Sequence, residues 1–148
     1  MCGILGLTIE DPAKLKMMHA QLVHRGTDGE GALVLDGVSL GHARLSIIDC
    51  EARSNQPMTS HDGNSVITFN GEIYNYQELR EELVAEGTSF ATQSDTEVIL
   101  EGYSRHGEAF FTKLRGMWAF AIHDKVRKQL VLSRDQFGIK PLYYAIES

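Results

Sequence analysis

Apolar positions along the chain change period in a fixed order. Residues 3–9, Gly-Ile-Leu-Gly-Leu-Thr-Ile, form a β-prone apolar run that predicts a buried strand, with Cys2 held at its end. Asp11-Pro12 then opens a helix, since Pro suits the first helical position, and Leu15, Met18, His19 and Leu22 fall along one face. This helix should end before His24-Arg25-Gly26. Runs at 32–35 and 38–45 flank Asp36-Gly37, a hairpin signal because Gly tolerates the positive φ of a tight turn. A polar loop over 51–65 leads to a short strand at 66–69 that is expected to stop at Asn70-Gly71.

Helical signals occupy the middle of the chain. Asn75 is placed as an N-cap with Glu78 in the capping-box position, and Leu79 and Leu83 face a core. Ser94-Asp-Thr-Glu97 repeats this start before Val98, Ile99, Leu100 and Tyr103, with an end near His106-Gly107. Residues 117–122 and 129–133 then predict an antiparallel pair joined at 124–127, and 141–145 predict one more strand. Strands, central helices and further strands, without regular βαβ alternation, indicate an α+β fold of antiparallel sheets covered by helices.

Length and composition refine this picture. A chain of 148 residues with 43% hydrophobic and 23% charged residues suits one domain with one core and excludes disorder. A net charge of −6 with interspersed signs argues against nucleic acid as a partner. No apolar run approaches the roughly 20 residues that span a bilayer, and no secretory leader is apparent, so the expected location is the cytoplasm. In that compartment Cys2 and Cys50 are expected to be unpaired. The six histidines show no metal-site spacing, and no metal is expected.

Several residues carry chemistry, each beside a plainer reading. Removal of Met1 would leave a thiol and a free α-amine on Cys2, and an amine of ordinary pKa ~7.7–8.0 can take the thiol proton near neutrality. With Met1 attached that nitrogen is an amide, so the form carrying Met1 is expected to be inactive. Taken alone, Cys2 reads more simply as a small buried residue opening a strand. Asn70-Gly71 is a hairpin turn or a pair of donors for an oxyanion hole. Arg44, inside an apolar strand, faces solvent or binds a carboxylate with its fork. Asp95 is a first-turn carboxylate favoured by the helix dipole or a holder of an ammonium group. His24-Arg25 and Arg134-Asp135 read as charges at element ends.

Eight motifs taken in order decide more than any one. They are Met1-Cys-Gly-Ile4, His24-Arg-Gly-Thr-Asp28, His42-Ala-Arg-Leu-Ser-Ile-Ile-Asp49, Gln56-Pro-Met58, Phe69-Asn-Gly-Glu-Ile-Tyr-Asn75, Ser94-Asp-Thr-Glu-Val98, Gly116-Met-Trp-Ala-Phe-Ala121 and Arg134-Asp-Gln-Phe-Gly-Ile-Lys-Pro-Leu-Tyr143. With them the chain resembles, essentially from end to end, the glutaminase domain of glutamine-hydrolysing asparagine synthetase, a class II glutamine amidotransferase. That resemblance implies the N-terminal nucleophile hydrolase fold, a layered αββα sandwich. It implies Cys2 as nucleophile, Asn70 and Gly71 as oxyanion hole, Arg44 on the glutamine α-carboxylate, Asp95 with Glu72 on the α-ammonium, and Leu45 and Ile47 as pocket residues.

Further implications concern what lies outside the chain. Residues 1–148 would be an incomplete glutaminase domain without its synthetase domain, where ATP and magnesium would serve aspartate activation, so no cofactor is expected here. Expected partners are glutamine and an ATP-dependent synthetase domain or subunit, with a homo-oligomer allowed. The segment His42-Ala-Arg-Leu-Ser-Ile47, rather than a Thr-Arg-Trp-Ala type, favours this branch over amidotransferases that aminate sugar phosphates. Thr27 departs from the family's usual Pro in a loop near the nucleophile. The alternatives are a glutaminase module serving a sugar or peptide carboxylate, and a catalytically silent partner-binding fragment.

Overall fold

A computed structural model of the chain describes residues 1–146. Its elements in chain order are β1 (Gly3–Leu7), α1 (Pro12–Ala20), β2 (Gly29–Leu35), β3 (Val38–Arg44), β4 (Met58–Thr59), β5 (Ser65–Ile73), α2 (Tyr76–Ala85), α3 (Asp95–His106), β6 (Gly116–Asp124) and β7 (Gln129–Arg134). Short 3-10 turns occupy Val23–Arg25, Ala52–Ser54 and Gly107–Lys113.

The strands form two antiparallel sheets, one in the order β1-β3-β2 and the other β4-β5-β6-β7. All seven residues of β3 are buried, because α1 covers one face of its sheet and β5 approaches the other. Alternation on β5 and β6 explains the second pair of layers. Ile67, Phe69 and Ile73 with Trp118, Phe120 and Ile122 join Leu79, Leu83, Val98 and Ile99 of α2 and α3 in the main core. The opposite face meets the first sheet, where Val66 packs with Val38 and Leu40 in a smaller cluster. The order of layers is therefore helix, sheet, sheet, helices, the αββα sandwich expected from the motifs.

The hairpin at Asp36-Gly37 forms with positive φ at both residues, 50° and 82°, as a tight two-residue turn requires. The first strand stops at Leu7 rather than at residue 9, and Asp11 caps α1 by accepting from the Lys14 amide at 2.8 Å. Asn75 does not cap α2 with its side chain. Its carboxamide instead bridges the Lys113 carbonyl and the Arg115 amide, so tertiary partners override the local box. Ser94 caps α3 through the Thr96 amide, whereas Glu97 turns away to accept from Ala91 and Thr92. Residues 141–145 have no regular structure, which corrects the expected last strand. Among the described residues no helix is long and apolar enough to cross a membrane.

Candidate functional site

Pairing of Gly3 with Ala43 sets Cys2 beside the end of β3. Its Sγ accepts from the Leu45 amide at 3.4 Å and faces the Leu45 carbonyl at 3.5 Å. The Cys2 carbonyl accepts from Arg25 Nε at 3.1 Å. Beyond it, the Asp28 amide donates to the Arg44 carbonyl at 2.9 Å, and the Asp28 carboxylate accepts from the Ser46 amide at 2.8 Å. The loop after α1 thus clamps both the nucleophile position and residues 44–46. Arg25 and Asp28 were part of a motif but given no site role in the sequence, because that role depends on a strand pairing up to forty positions apart in the chain.

The eight residues singled out in the sequence, Cys2, Arg44, Leu45, Ile47, Asn70, Gly71, Glu72 and Asp95, all line one cleft of about 130 Å³. Arg44 is only 6% exposed, which excludes the solvent-facing alternative. Nη1 donates to the Asn55 side-chain oxygen at 2.7 Å and to the Glu51 carbonyl at 3.0 Å, and Nη2 donates to the Asp49 carbonyl at 2.5 Å. These acceptors are neutral, so they fix the fork without compensating its charge. Ile47 stands at the mouth with 70% of its surface exposed.

Part of the cleft wall is acidic. Asp95 begins α3 and is 4% exposed, and its Oδ2 accepts from the Ile73 amide at 3.0 Å. Burial raises its pKa to about 6 against the opposing pull of that bond, and the neighbouring Glu72 carboxylate adds to the rise. The dipole reading of Asp95 is thus incomplete: the residue also secures β5, and it shares the cleft with a second carboxylate. A fixed cation and a carboxylate pair lining one cleft complement a zwitterion.

Asn70 and Gly71 do not end a strand, as the sequence pattern implied, but lie inside β5. Gly71 pairs with Trp118, whose own amide and carbonyl turn toward Asp135 on the far side of β6. The Gly71 amide therefore points away from β6, along the edge where Phe69 donates to Gln56 Oε1 at 2.6 Å and Ile73 to Asp95. Between these two occupied donors, Gly71 takes no side-chain acceptor among the described residues. A Cβ at this position would collide with the Met117 carbonyl and the Trp118 backbone, so only Gly lets β5 and β6 close here. The Asn70 carboxamide, from a residue only 6% exposed, likewise makes no hydrogen bond among the described residues. Two donors are left facing the cleft.

His42 ties the two sheets behind this wall. Its Nε2 lies 3.1 Å from the Phe69 carbonyl and so carries the proton, and burial, reinforced by Arg44, lowers its pKa to about 4. It is a neutral donor that fixes β3 against β5. Gln56 does similar work at the edge, donating to Thr96 Oγ1 at 3.1 Å while accepting from Phe69.

The model of the glutamine amidotransferase domain family matches residues 1–148. The chain belongs to that family. Among its relatives, an asparagine synthetase [glutamine-hydrolyzing] of Bacillus subtilis is 47% identical over 97% of this chain and 24% of that protein. A probable asparagine synthetase of Schizosaccharomyces pombe is 42% identical, over 100% of this chain and 27% of that protein. The amidotransferase domain described here thus spans about a quarter of the length of these relatives. A glutamine phosphoribosylpyrophosphate amidotransferase from B. subtilis shares its fold with a TM-score of 0.77, at 20% identity over 95% of this chain and 38% of the other. The α+β sandwich is thus the fold of that amidotransferase.

Proposed function

We propose that the domain, once Met1 is removed, hydrolyses glutamine to glutamate and ammonia through a thioester on Cys2. The observation that carries this reading is that Arg44, Asp95 and Glu72 line the same cleft as Cys2. Glutamine is a zwitterion with an amide at its far end, so binding its α-carboxylate at Arg44 and its α-ammonium at the acidic wall leaves the amide for the thiol. Leu45 and Ile47 line the approach.

Cys2 Sγ attacks the amide carbon, and the thiol proton passes to the α-amine of the same residue. The carbonyl oxygen becomes an oxyanion, which accepts from the Asn70 carboxamide and the Gly71 amide. Collapse breaks the C–N bond, and the proton held by the α-amine leaves with ammonia. Water then attacks the thioester with the same amine as base, giving glutamate and the free thiol.

The names of the relatives support asparagine synthesis as the use of this ammonia, with aspartate as acceptor in an ATP-dependent synthetase domain or subunit. ATP and magnesium are assigned to that other part. Unpaired Cys2 and Cys50 suit a reducing compartment such as the cytoplasm. The test is ammonia release from protein whose N-terminal mass shows loss of Met1. Release that disappears in Cys2→Ala is expected, and a processed protein that releases none from glutamine overturns the reading.

A further inference from the structure

Residues 134–140 form a turn that the proposed mechanism leaves without a task. Asp135, itself buried, accepts from the amides of Trp118, Phe137, Ile139 and Lys140 at 3.2, 3.1, 2.9 and 2.9 Å. Arg134 donates to the Gly138 carbonyl at 2.7 Å and to the Lys140 carbonyl at 2.9 Å. Five of these six hydrogen bonds therefore hold the backbone of residues 137–140, the amide and carbonyl of Lys140 among them, and the sixth ties the turn to Trp118 on β6. The charges read in the sequence as marking a strand end are the brace of this turn.

What the turn presents is one cation. Lys140 is only 6% exposed and lines the cleft with Cys2. Its Nζ donates to Met1 Sδ at 3.1 Å, and a thioether is a weak acceptor that carries no charge. A buried ammonium is costly unless paired, yet among the described residues no carboxylate bonds to this one. Its one acceptor among the described residues belongs to the residue that must be removed for Cys2 to gain its amine.

We propose that Lys140 is a positioning residue that acts through Cys2, its ammonium holding the freed α-amine neutral and the thiol readily ionised. The inference rests on the reading of Cys2 as an N-terminal nucleophile. A positive charge nearby disfavours protonation of an amine and favours a thiolate, so both groups are driven toward the forms that react. Arg25, bonded to the Cys2 carbonyl, and Arg44 act with the same sign. Glu72 and Asp95 oppose them from the acidic wall, while His42 behind that wall is neutral. Lys140 bonds to the side chain of Met1 and lines the cleft with Cys2, whose amine is freed when Met1 leaves.

The experiment follows alkylation of Cys2 by iodoacetamide across pH in Met1-processed protein, by mass spectrometry of the N-terminal peptide. Exposed Cys50 serves as internal control. In Lys140→Met the midpoint of Cys2 alkylation should rise by about one pH unit, with roughly tenfold slower alkylation at neutral pH. Lys140→Arg should keep the wild-type midpoint, and Cys50 should be unchanged throughout. Lys140→Gln provides a second neutral variant should Lys140→Met fail to fold. A wild-type midpoint in a folded neutral variant overturns the inference. Failure of Met1-processed wild type to release ammonia from glutamine overturns instead the glutaminase reading, which the alkylation midpoint does not measure.

Discussion

The sulfur of Cys2 lies against both backbone polar groups of Leu45, 3.4 Å from the nitrogen and 3.5 Å from the oxygen. The nucleophile position and the segment carrying Arg44 are consequently one unit, fixed by the pairing of β1 with β3. Displacement of either end moves the thiol relative to the bound amide.

Arg25 holds the other side of that unit through the Cys2 carbonyl. Arg25→Met should lower kcat for glutamine hydrolysis about tenfold to a hundredfold, the usual cost of a small misplacement of a reacting group. KM should change little, because the charged groups assigned to glutamine, Arg44, Glu72 and Asp95, lie on β3, β5 and α3. Steady-state ammonia release from Met1-processed variant and wild type checks the split. A rise in KM with unchanged kcat would assign Arg25 to substrate binding instead.

Arg44 predicts the reverse pattern. Its fork is fixed by Asp49, Glu51 and Asn55, and an ammonium cannot reproduce those three bonds while also meeting a carboxylate with two parallel donors. Arg44→Lys should raise KM for glutamine on the order of a hundredfold, equivalent to roughly 2–3 kcal/mol of binding. Residues 49–55 should also become more sensitive to protease, as their anchor is lost. Wild-type KM in this variant would remove the carboxylate role from Arg44.

Legibility in the sequence followed the range of the interaction. The Asp36-Gly37 hairpin and the start of α1 at Asp11-Pro12 depend on neighbours in the chain and were readable. Asn75 and Glu97 carry the same local cap signals, but Lys113, Arg115, Ala91 and Thr92 compete for them, and that competition exists only in the folded chain. Ending β5 at Asn70-Gly71 failed for a related reason. Asn-Gly usually signals a turn, whereas here the missing Cβ answers a close approach of β6. Cys2, Arg44 and Asp95 were recognisable through motif order. Arg25, His42 and Lys140 were not assigned, since their meaning arises from register, from the gap between sheets and from a turn braced elsewhere.

His123 gives a stability prediction away from the cleft. It pairs with Val66 and Leu130 on β5 and β7, is 3% exposed, and neither ring nitrogen has a partner among the described residues. An unsatisfied buried polar group costs about 1–3 kcal/mol, whereas an apolar side chain of similar reach suits the Val38–Leu40–Val66 cluster. His123→Leu should therefore raise Tm by a few degrees. It should leave kcat/KM unchanged, because Asn70 and Gly71 lie at the other end of β5. Thermal denaturation at pH 7.5 tests this, and a lower Tm would show that the imidazole is satisfied in solution.

Asp95 should link stability and binding through pH. Its folded pKa of about 6 exceeds the ordinary 3.8, so folding favours its protonated form. The stability associated with that form is complete below pH 3.8 and is lost as pH rises through 6, reaching about 3 kcal/mol at neutrality as an order of magnitude. Asp95→Asn keeps an oxygen for the Ile73 amide but cannot ionise. Its Tm should match wild type near pH 4, exceed it progressively between pH 4 and 6, and remain several degrees higher above that range. The same substitution removes a charge assigned to the glutamine ammonium, so KM should rise at least tenfold on the scale of a lost charged contact. In wild type KM should climb as pH falls below 6, where Asp95 takes a proton, and the variant should lack that inflection. Paired melting curves and KM profiles from pH 4 to 8 measure both effects. A variant that gains no stability at neutral pH would show that Asp95 is not strained by burial, and an unchanged KM would remove it from the ammonium site.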